Sequence, residues 1–212
     1  MSPVESPEDV VCTLKILVLG DAGVGKSNLV LRLCDDRFDD NLQFTIGIDF
    51  RSLRLTVNGD AVQAKIIDTA GQERFHSLTP STYRNLNGAA LVYSVMDIQS
   101  FFNVDKWLDQ LAQQTQADIP IVLIANVTDR KSDRIVTSED GRRLAQRLDL
   151  QYFEVSAKTG KNVAHAFQSL VTLAYLREKR KQPTNAIERS ATLRVSDRNR
   201  SKSKGRKKKC CA

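Results

Sequence analysis

Eight consecutive residues, Gly20-Asp21-Ala22-Gly23-Val24-Gly25-Lys26-Ser27, carry the most specific chemistry in the chain. They fit G-x-x-x-x-G-K-[ST], a loop that wraps phosphate in backbone N–H groups. Several donors must converge on one point, and glycine lets the chain curl that tightly at low steric cost. A helix starting behind the loop adds unpaired N–H groups and partial positive charge. In this arrangement Lys26 lies along the β/γ-phosphates and the Ser27 hydroxyl ligates Mg²⁺. A glycine turn that only happens to precede a lysine is the competing reading. The flanks argue against it, because Leu14 to Leu19 reads as a buried strand and Lys26 to Cys34 carries Leu29, Val30 and Leu33 at helical spacing.

Further candidates lie where later strands should end. Asp68-Thr69-Ala70-Gly71 supplies a carboxylate for the Mg²⁺ shell and a glycine whose N–H can approach a γ-phosphate. Gln72 follows, a side chain able to orient an attacking water. Thr45 is placed to add a second hydroxyl to the metal. Asn126-Val127-Thr128-Asp129 ends another apolar run. An aspartate there can accept from guanine N1–H and the exocyclic amine, which adenine does not offer. Ser156-Ala157-Lys158 follows the last strand, where a backbone N–H can meet the guanine carbonyl. Each fragment alone is weak, and their order gives them weight.

The elements that must hold these residues follow from periodicity. Strands are expected at 50–57 and 62–67, joined by an Asn58-Gly59 turn of the hairpin type. Further strands are expected at 89–95, 119–125 and 152–155, with helices over 100–114, 138–148 and a last one to about Arg180, capped by Asn162. Residues 35–48 and 70–87 read as irregular. Continuous apolar strands alternating with amphipathic helices predict a mostly parallel sheet covered on both faces.

Composition narrows the class. The 212 residues suit one domain plus an appendage, and 41% hydrophobic with 27% charged residues is ordinary for a globular chain. No run of about eighteen apolar residues predicts a transmembrane helix, and the acidic N-terminus predicts no secretory signal. Cys12, Cys34, Cys210 and Cys211 have neither disulfide-framework nor zinc spacing, which suits a reducing compartment. The net charge of +7 is uneven. From Arg177 onward there are 14 Lys/Arg and 3 acids, which leaves 18 basic and 22 acidic residues, a net −4, in the body. The basicity belongs to the tail, so the body does not read as a nucleic-acid-binding domain.

From about Leu14 to Arg180 the sequence resembles the Ras-superfamily small GTPases, and within them the Rab family. Phe44-Thr45-Ile46-Gly47-Ile48-Asp49-Phe50 is similar to the Rab switch I segment. Asp68-Thr69-Ala70-Gly71-Gln72-Glu73-Arg74-Phe75 is similar to the opening of switch II, continued by Leu78 through Tyr83-Arg84, and Glu154-Val155-Ser156-Ala157-Lys158 to the family's E-x-S-A-K. The resemblance implies an α/β fold, a P-loop NTPase G domain with a mostly parallel six-stranded sheet, one antiparallel strand and helices on both faces. It implies a flexible N-terminus over 1–12, the G domain over 13–180 and a disordered basic tail over 181–212.

The same resemblance implies slow hydrolysis of GTP to GDP, stimulated by a GAP, with Gln72 as the catalytic residue. GTP or GDP is then held by Asp21, Ala22, Gly23, Val24, Gly25, Lys26, Ser27, Asn28, Phe38, Thr45, Gly71, Asn126, Asp129, Ser156, Ala157 and Lys158. Mg²⁺ falls to Ser27, Thr45 and Asp68. Effectors are met by Ile46, Gly47, Ile48, Asp49, Phe50, Ile67 and Tyr83, with Ile67 standing where the family usually has Trp. Other departures are Ala22 for a common Ser, Ser94 for a common Asp, and Val127 for the Lys of N-K-x-D.

Residues 196–209 are polar, rich in Arg, Lys and Ser, and expected to be disordered. As a flexible chain, residues 181–209 span about 30 Å on average. Cys210 and Cys211 are not in a C-a-a-X box, but paired terminal cysteines resemble Rab prenylation sites. Two lipids beside Lys207, Lys208 and Lys209 imply anchoring to the cytoplasmic face of an intracellular membrane, with a cytosolic pool. The resemblance also implies an exchange factor, prenylation machinery and a GDP-dissociation inhibitor as partners. Two rival readings remain at this level. One is another P-loop enzyme such as a kinase or ATPase; the other is a Rab-like interaction protein with weakened nucleotide binding and little GTPase activity.

Overall fold

The computed structural model describes residues 10–42, 48–69, 80–115, 118–127 and 129–181. Six strands, β1 (Val10–Leu19), β2 (Ile48–Val57), β3 (Asp60–Thr69), β4 (Gly88–Ser94), β5 (Ile121–Asn126) and β6 (Gln151–Glu154), form one sheet. Its order is β2-β3-β1-β4-β5-β6, with β2 antiparallel to β3 and all other neighbours parallel. The expected sheet is therefore observed. The helices are α1 (Lys26–Asp35), α2 (Pro80–Tyr83), α3 (Ile98–Phe102), α4 (Val104–Gln114), α5 (Ser138–Leu148) and α6 (Val163–Lys181). The chain divides into a unit over 1–177, which holds the sheet, and a second from 178, described only through the helical residues 178–181.

The two-residue period of a strand explains how β1 serves both faces. Leu14, Ile16 and Val18 enter a core with Leu29 and Val30 of α1 and Ala166, Phe167, Leu170 and Val171 of α6. Leu17 and Leu19 enter the opposite core with Tyr83 of α2, Trp107 and Leu111 of α4 and Leu144 of α5. All five of these β1 side chains have no exposed surface. Such continuous burial is what a central parallel strand requires.

Four local expectations are corrected. Residues 10–12, expected in the N-terminal arm, belong to β1, where Val10 and Cys12 pair with Ala61 and Val62 across a register irregularity. The stretch expected as irregular over 70–87 contains α2. The single helix expected over 100–114 is two, broken at Asn103, whose N–H returns to the Gln99 and Phe101 carbonyls. Asp97 starts the first of them by accepting from the Gln99 N–H at 2.9 Å. Asn162 does not cap α6 with its side chain. Its backbone is left-handed (φ 58°), and its amide turns back to the Glu154 carbonyl at 2.9 Å.

The Asn58-Gly59 turn has positive φ at both residues and joins Val57 to its partner Asp60, as a tight hairpin demands. Phe167 has no exposed surface at the centre of the α1/α6 core. Phe167→Ala is expected to cost about 3–5 kcal/mol of unfolding free energy, read as a lower midpoint in urea at fixed nucleotide concentration.

Candidate nucleotide-binding site

The carboxyl ends of β1, β3, β4, β5 and β6 point to one edge of the sheet, and the loops leaving them build the site. The loop between β1 and α1 comes first. A Cβ at Gly20 (φ 144°) would lie 2.0 Å from the Val92 carbonyl oxygen of β4, so only glycine lets the chain leave the sheet there. Gly25 (φ 90°) begins α1, and a Cβ on it would lie 2.4 Å from the Asn126 amide nitrogen. Two glycines of the motif therefore answer to close approach, Gly20 to a strand carbonyl and Gly25 to a side-chain amide. Lys26 is 4% exposed and its ammonium donates to the carbonyls of Gly20 at 2.5 Å and Asp21 at 2.7 Å. The first turn of α1 has no acidic residue to offset its N-terminal charge.

At the end of β3, Asp68 is 4% exposed, and Thr69 donates its hydroxyl to the Val18 carbonyl at 2.9 Å. Burial pushes the Asp68 carboxyl above its usual range, opposed by a hydrogen bond from Ser27 and the charge of Lys26. Among the described residues, Asp68 Oδ1 has no hydrogen-bond partner. A buried carboxylate oxygen in that state is costly unless a cation or donor reaches it. A carboxylate beside a hydroxyl is the hard oxygen set that Mg²⁺ takes, so these residues fit that ion.

Next to the loop lies a cleft of about 350 Å³, lined among others by Gly25, Phe38, Asn126, Val127, Asp129 and Lys158. Asn126 is 2% exposed and uses both ends of its side chain. It donates to the Val24 carbonyl at 2.8 Å and accepts from the Ala157 N–H at 3.2 Å, joining the phosphate loop to the Ser156-Ala157-Lys158 loop. Asp129 is exposed and accepts from the Ser156 hydroxyl at 2.6 Å, leaving its other oxygen for a ligand edge. Phe38 packs against the α1/α6 core, and the Lys158 ammonium lies 5.6 Å from its ring centroid. Val127 sits in the left-handed region at φ 68°. It is the one β-branched member of the six non-glycine described residues there, and such a conformation is strained.

Of the expected site residues, the structure brings together the loop residues 21–28, Phe38, Asp68, Asn126, Asp129 and Ser156 through Lys158. Thr45, Ile46, Gly47, Gly71, Gln72, Cys210 and Cys211 lie outside the described residues. The expected effector side chains differ in access. Phe50 is 65% exposed and Asp49 is exposed, with Ile48 half-buried. Ile67 (0%) and Tyr83 (3%) are corrections: both belong to the α4 core, and Tyr83 accepts from Gln110 at 3.0 Å, so neither presents a surface in this conformation.

Arg32 and several contacts of the expected residues Asn28 and Lys158 were not legible in the sequence. Arg32 of α1 donates to the carbonyls of Ala157 (2.9 Å) and Lys158 (3.0 Å). Asn28 and Asp39 exchange two hydrogen bonds of 3.0 Å, and Lys158 pairs with Asp40 at 3.1 Å. These polar contacts gave no periodic signal. Glu154 was noted only as a motif letter. Burial alone raises its carboxyl, but Arg134 at 2.9 Å and hydrogen bonds from Ser138 and Tyr152 outweigh that and hold it below its usual value.

Comparison with known proteins agrees with this geometry. The Ras family model matches residues 15–175. The chain is 44% identical over 165 residues to Ras-related protein Rab-18 of Lymnaea stagnalis, covering 77% of this chain and 81% of that one. It is 43% identical to Ras-related protein Rab-18-B of Danio rerio over 165 residues, covering 77% and 80%. It is 37% identical to Ras-related protein Rab-13 of Rattus norvegicus over 188 residues, covering 88% and 93%. Matches of that extent, on a sheet whose strand ends gather the phosphate loop and the guanine-type loops, establish that the chain belongs to the Ras family as a Rab-like small GTPase of vesicle trafficking, which binds GTP and hydrolyses it to GDP.

Proposed function

We propose that the chain works as a membrane-anchored switch whose nucleotide is held tightly at the phosphates and more loosely at the base. The observation that carries the phosphate half is the buried Asp68 oxygen beside Ser27 and Lys26 that has no hydrogen-bond partner among the described residues. Bound between Ser27, Asp68 and Thr45, Mg²⁺ would supply positive charge to the phosphate oxygens. Lys26 exchanges its two loop carbonyls for phosphate oxygens, a stronger, charge-assisted pairing. Gln72 orients the attacking water, and a GAP supplies the missing charge stabilisation. Thr45 and Gly71 sense the γ-phosphate, so switches I and II order with GTP and present Ile46 to Phe50 to effectors.

The base half is carried by Val127. Asp129, fixed by Ser156, recognises the guanine edge, while Phe38 and the Lys158 stem bound the cleft. Val127 has neither the length nor the charge to tie base, ribose and phosphate loop together, and its backbone is strained by order 1–3 kcal/mol. Selectivity for guanine is retained while residence time shortens. An exchange factor, prenylation machinery and a GDP-dissociation inhibitor act on this cycle, and Cys210 and Cys211 carry the lipids. Among the described residues no helix is long and apolar enough to cross a membrane.

Three experiments test this reading. Ser27→Asn is expected to weaken Mg²⁺-dependent GTP binding more than GDP binding; equal losses speak against the metal arrangement. Val127→Lys is expected to slow GDP dissociation roughly tenfold or more, the worth of one charge-assisted bond, while Val127→Asn, which relieves backbone strain without adding charge, slows it less. If both variants behave alike, strain rather than the lost lysine sets the rate. Finally, replacing Cys210 and Cys211 together by Ser is expected to release the protein from membranes in a flotation assay. Neutralising Lys207 to Lys209 gives a smaller, salt-sensitive loss of about 1 kcal/mol per lysine. A double cysteine variant that still floats rules out anchoring at these positions.

A further inference from the structure

The second residue of the phosphate loop is held from outside the nucleotide site. The Asp21 carboxylate accepts from Asn103 Nδ2 at 2.6 Å on one oxygen and from the Trp107 indole N–H at 2.7 Å on the other. Both are short, charge-assisted bonds across more than eighty residues of sequence. Their donors are rigid. Trp107 is 4% exposed in the α4 core, so its N–H direction is set by packing. Asn103 stands at the α3–α4 break, and its amide oxygen accepts from Gln99 at 3.2 Å, which leaves the NH₂ end turned to Asp21. The other side of Asp21 is also tied, since its carbonyl accepts from Lys26.

We propose that Asn103 and Trp107 are positioning residues for phosphate binding: through the Asp21 carboxylate they fix the curvature of the loop that holds the β-phosphate. The clamp has a second effect. A carboxylate in a phosphate loop repels the ligand if it swings inward, and two donors on the far side keep it turned away. The α3–α4 break gains a purpose here, because it sets the Asn103 amide beside Trp107, one helical turn on. Neither residue touches the cleft where the base lies. This rests on the nucleotide reading of the site, and a wild-type chain that failed to bind GDP at all would defeat that reading rather than the clamp.

The test compares GDP with GMP, which lacks the β-phosphate, by competition against a fluorescent GDP analogue on the full chain with Mg²⁺. Trp107→Phe keeps the ring and removes only the indole donor. It is expected to weaken GDP about tenfold, as for loss of one hydrogen bond to a charged group, and GMP less than about twofold. Asp21→Asn, at a half-buried position that tolerates the change sterically, sets its NH₂ against that of Asn103 and is expected to do the same. Combining Asp21→Asn with Asn103→Asp reverses that bond while Trp107 keeps an acceptor, and is expected to recover most of the GDP affinity. The sole tryptophan of the chain gives a further signature: its indole N–H proton resonance moves upfield in Asp21→Asn. Equal losses for GDP and GMP, an unchanged GDP to GMP ratio, or no recovery in the exchanged pair would overturn the proposal.

Discussion

One side chain amide holds the site together. Asn126 leaves the end of β5, donates to the phosphate loop at Val24 and accepts from the Ala157 N–H, so two loops 31 and 102 residues away share one rigid anchor. The approach is possible because Gly25 has no Cβ in the path of that amide. A buried amide with both ends satisfied costs little, whereas an apolar replacement would strand a carbonyl and an N–H. The geometry of base and phosphate loops thus depends on one polar group set by a strand of the central sheet.

Charge completes what this anchor positions. Lys26, the first residue of α1, and Asp68, near the end of β3, are both 4% exposed. Removed from water, each needs partners of its own, and the charge of Lys26 also acts on Asp68. Lys26 donates to the carbonyls of Gly20 and Asp21, and Asp68 has the Ser27 hydroxyl and one oxygen without a hydrogen bond among the described residues. A polyanionic ligand with a divalent cation answers the open Asp68 oxygen and offers Lys26 charge-assisted bonds. Affinity here comes from groups whose desolvation the fold has already imposed.

The base side is built on less. Val127 holds a backbone conformation suited to glycine or asparagine, and the neighbouring ties are an exposed ion pair of Lys158 with Asp40 and two bonds from the Asn28 side chain to the Asp39 backbone. An exposed ion pair such as Lys158–Asp40 contributes little. The protein therefore combines a stiff phosphate end, clamped from α4 and β5, with a base end that rests on Asp129, Phe38 and weak surface links.

Much of this was fixed by short-range rules acting on the sequence. Glycines before Lys26 follow from the tight, positive-φ curl of the loop, the Asn58-Gly59 hairpin from positive φ, and the parallel sheet from continuous apolar runs, so each was legible without coordinates. The α5 limits were legible too, because Thr137 caps the helix locally by accepting from Asp140 N–H. What sequence could not determine are contacts between residues far apart in the chain. Trp107 read as one more apolar position on a helix face, yet its polar edge is what meets Asp21. Ile67 and Tyr83 read as partner-facing by motif position, but the strand pleat and the α4 helix bury them. Periodicity reports which face of an element is apolar; only packing decides what lies against it, and which buried polar atom finds a partner there.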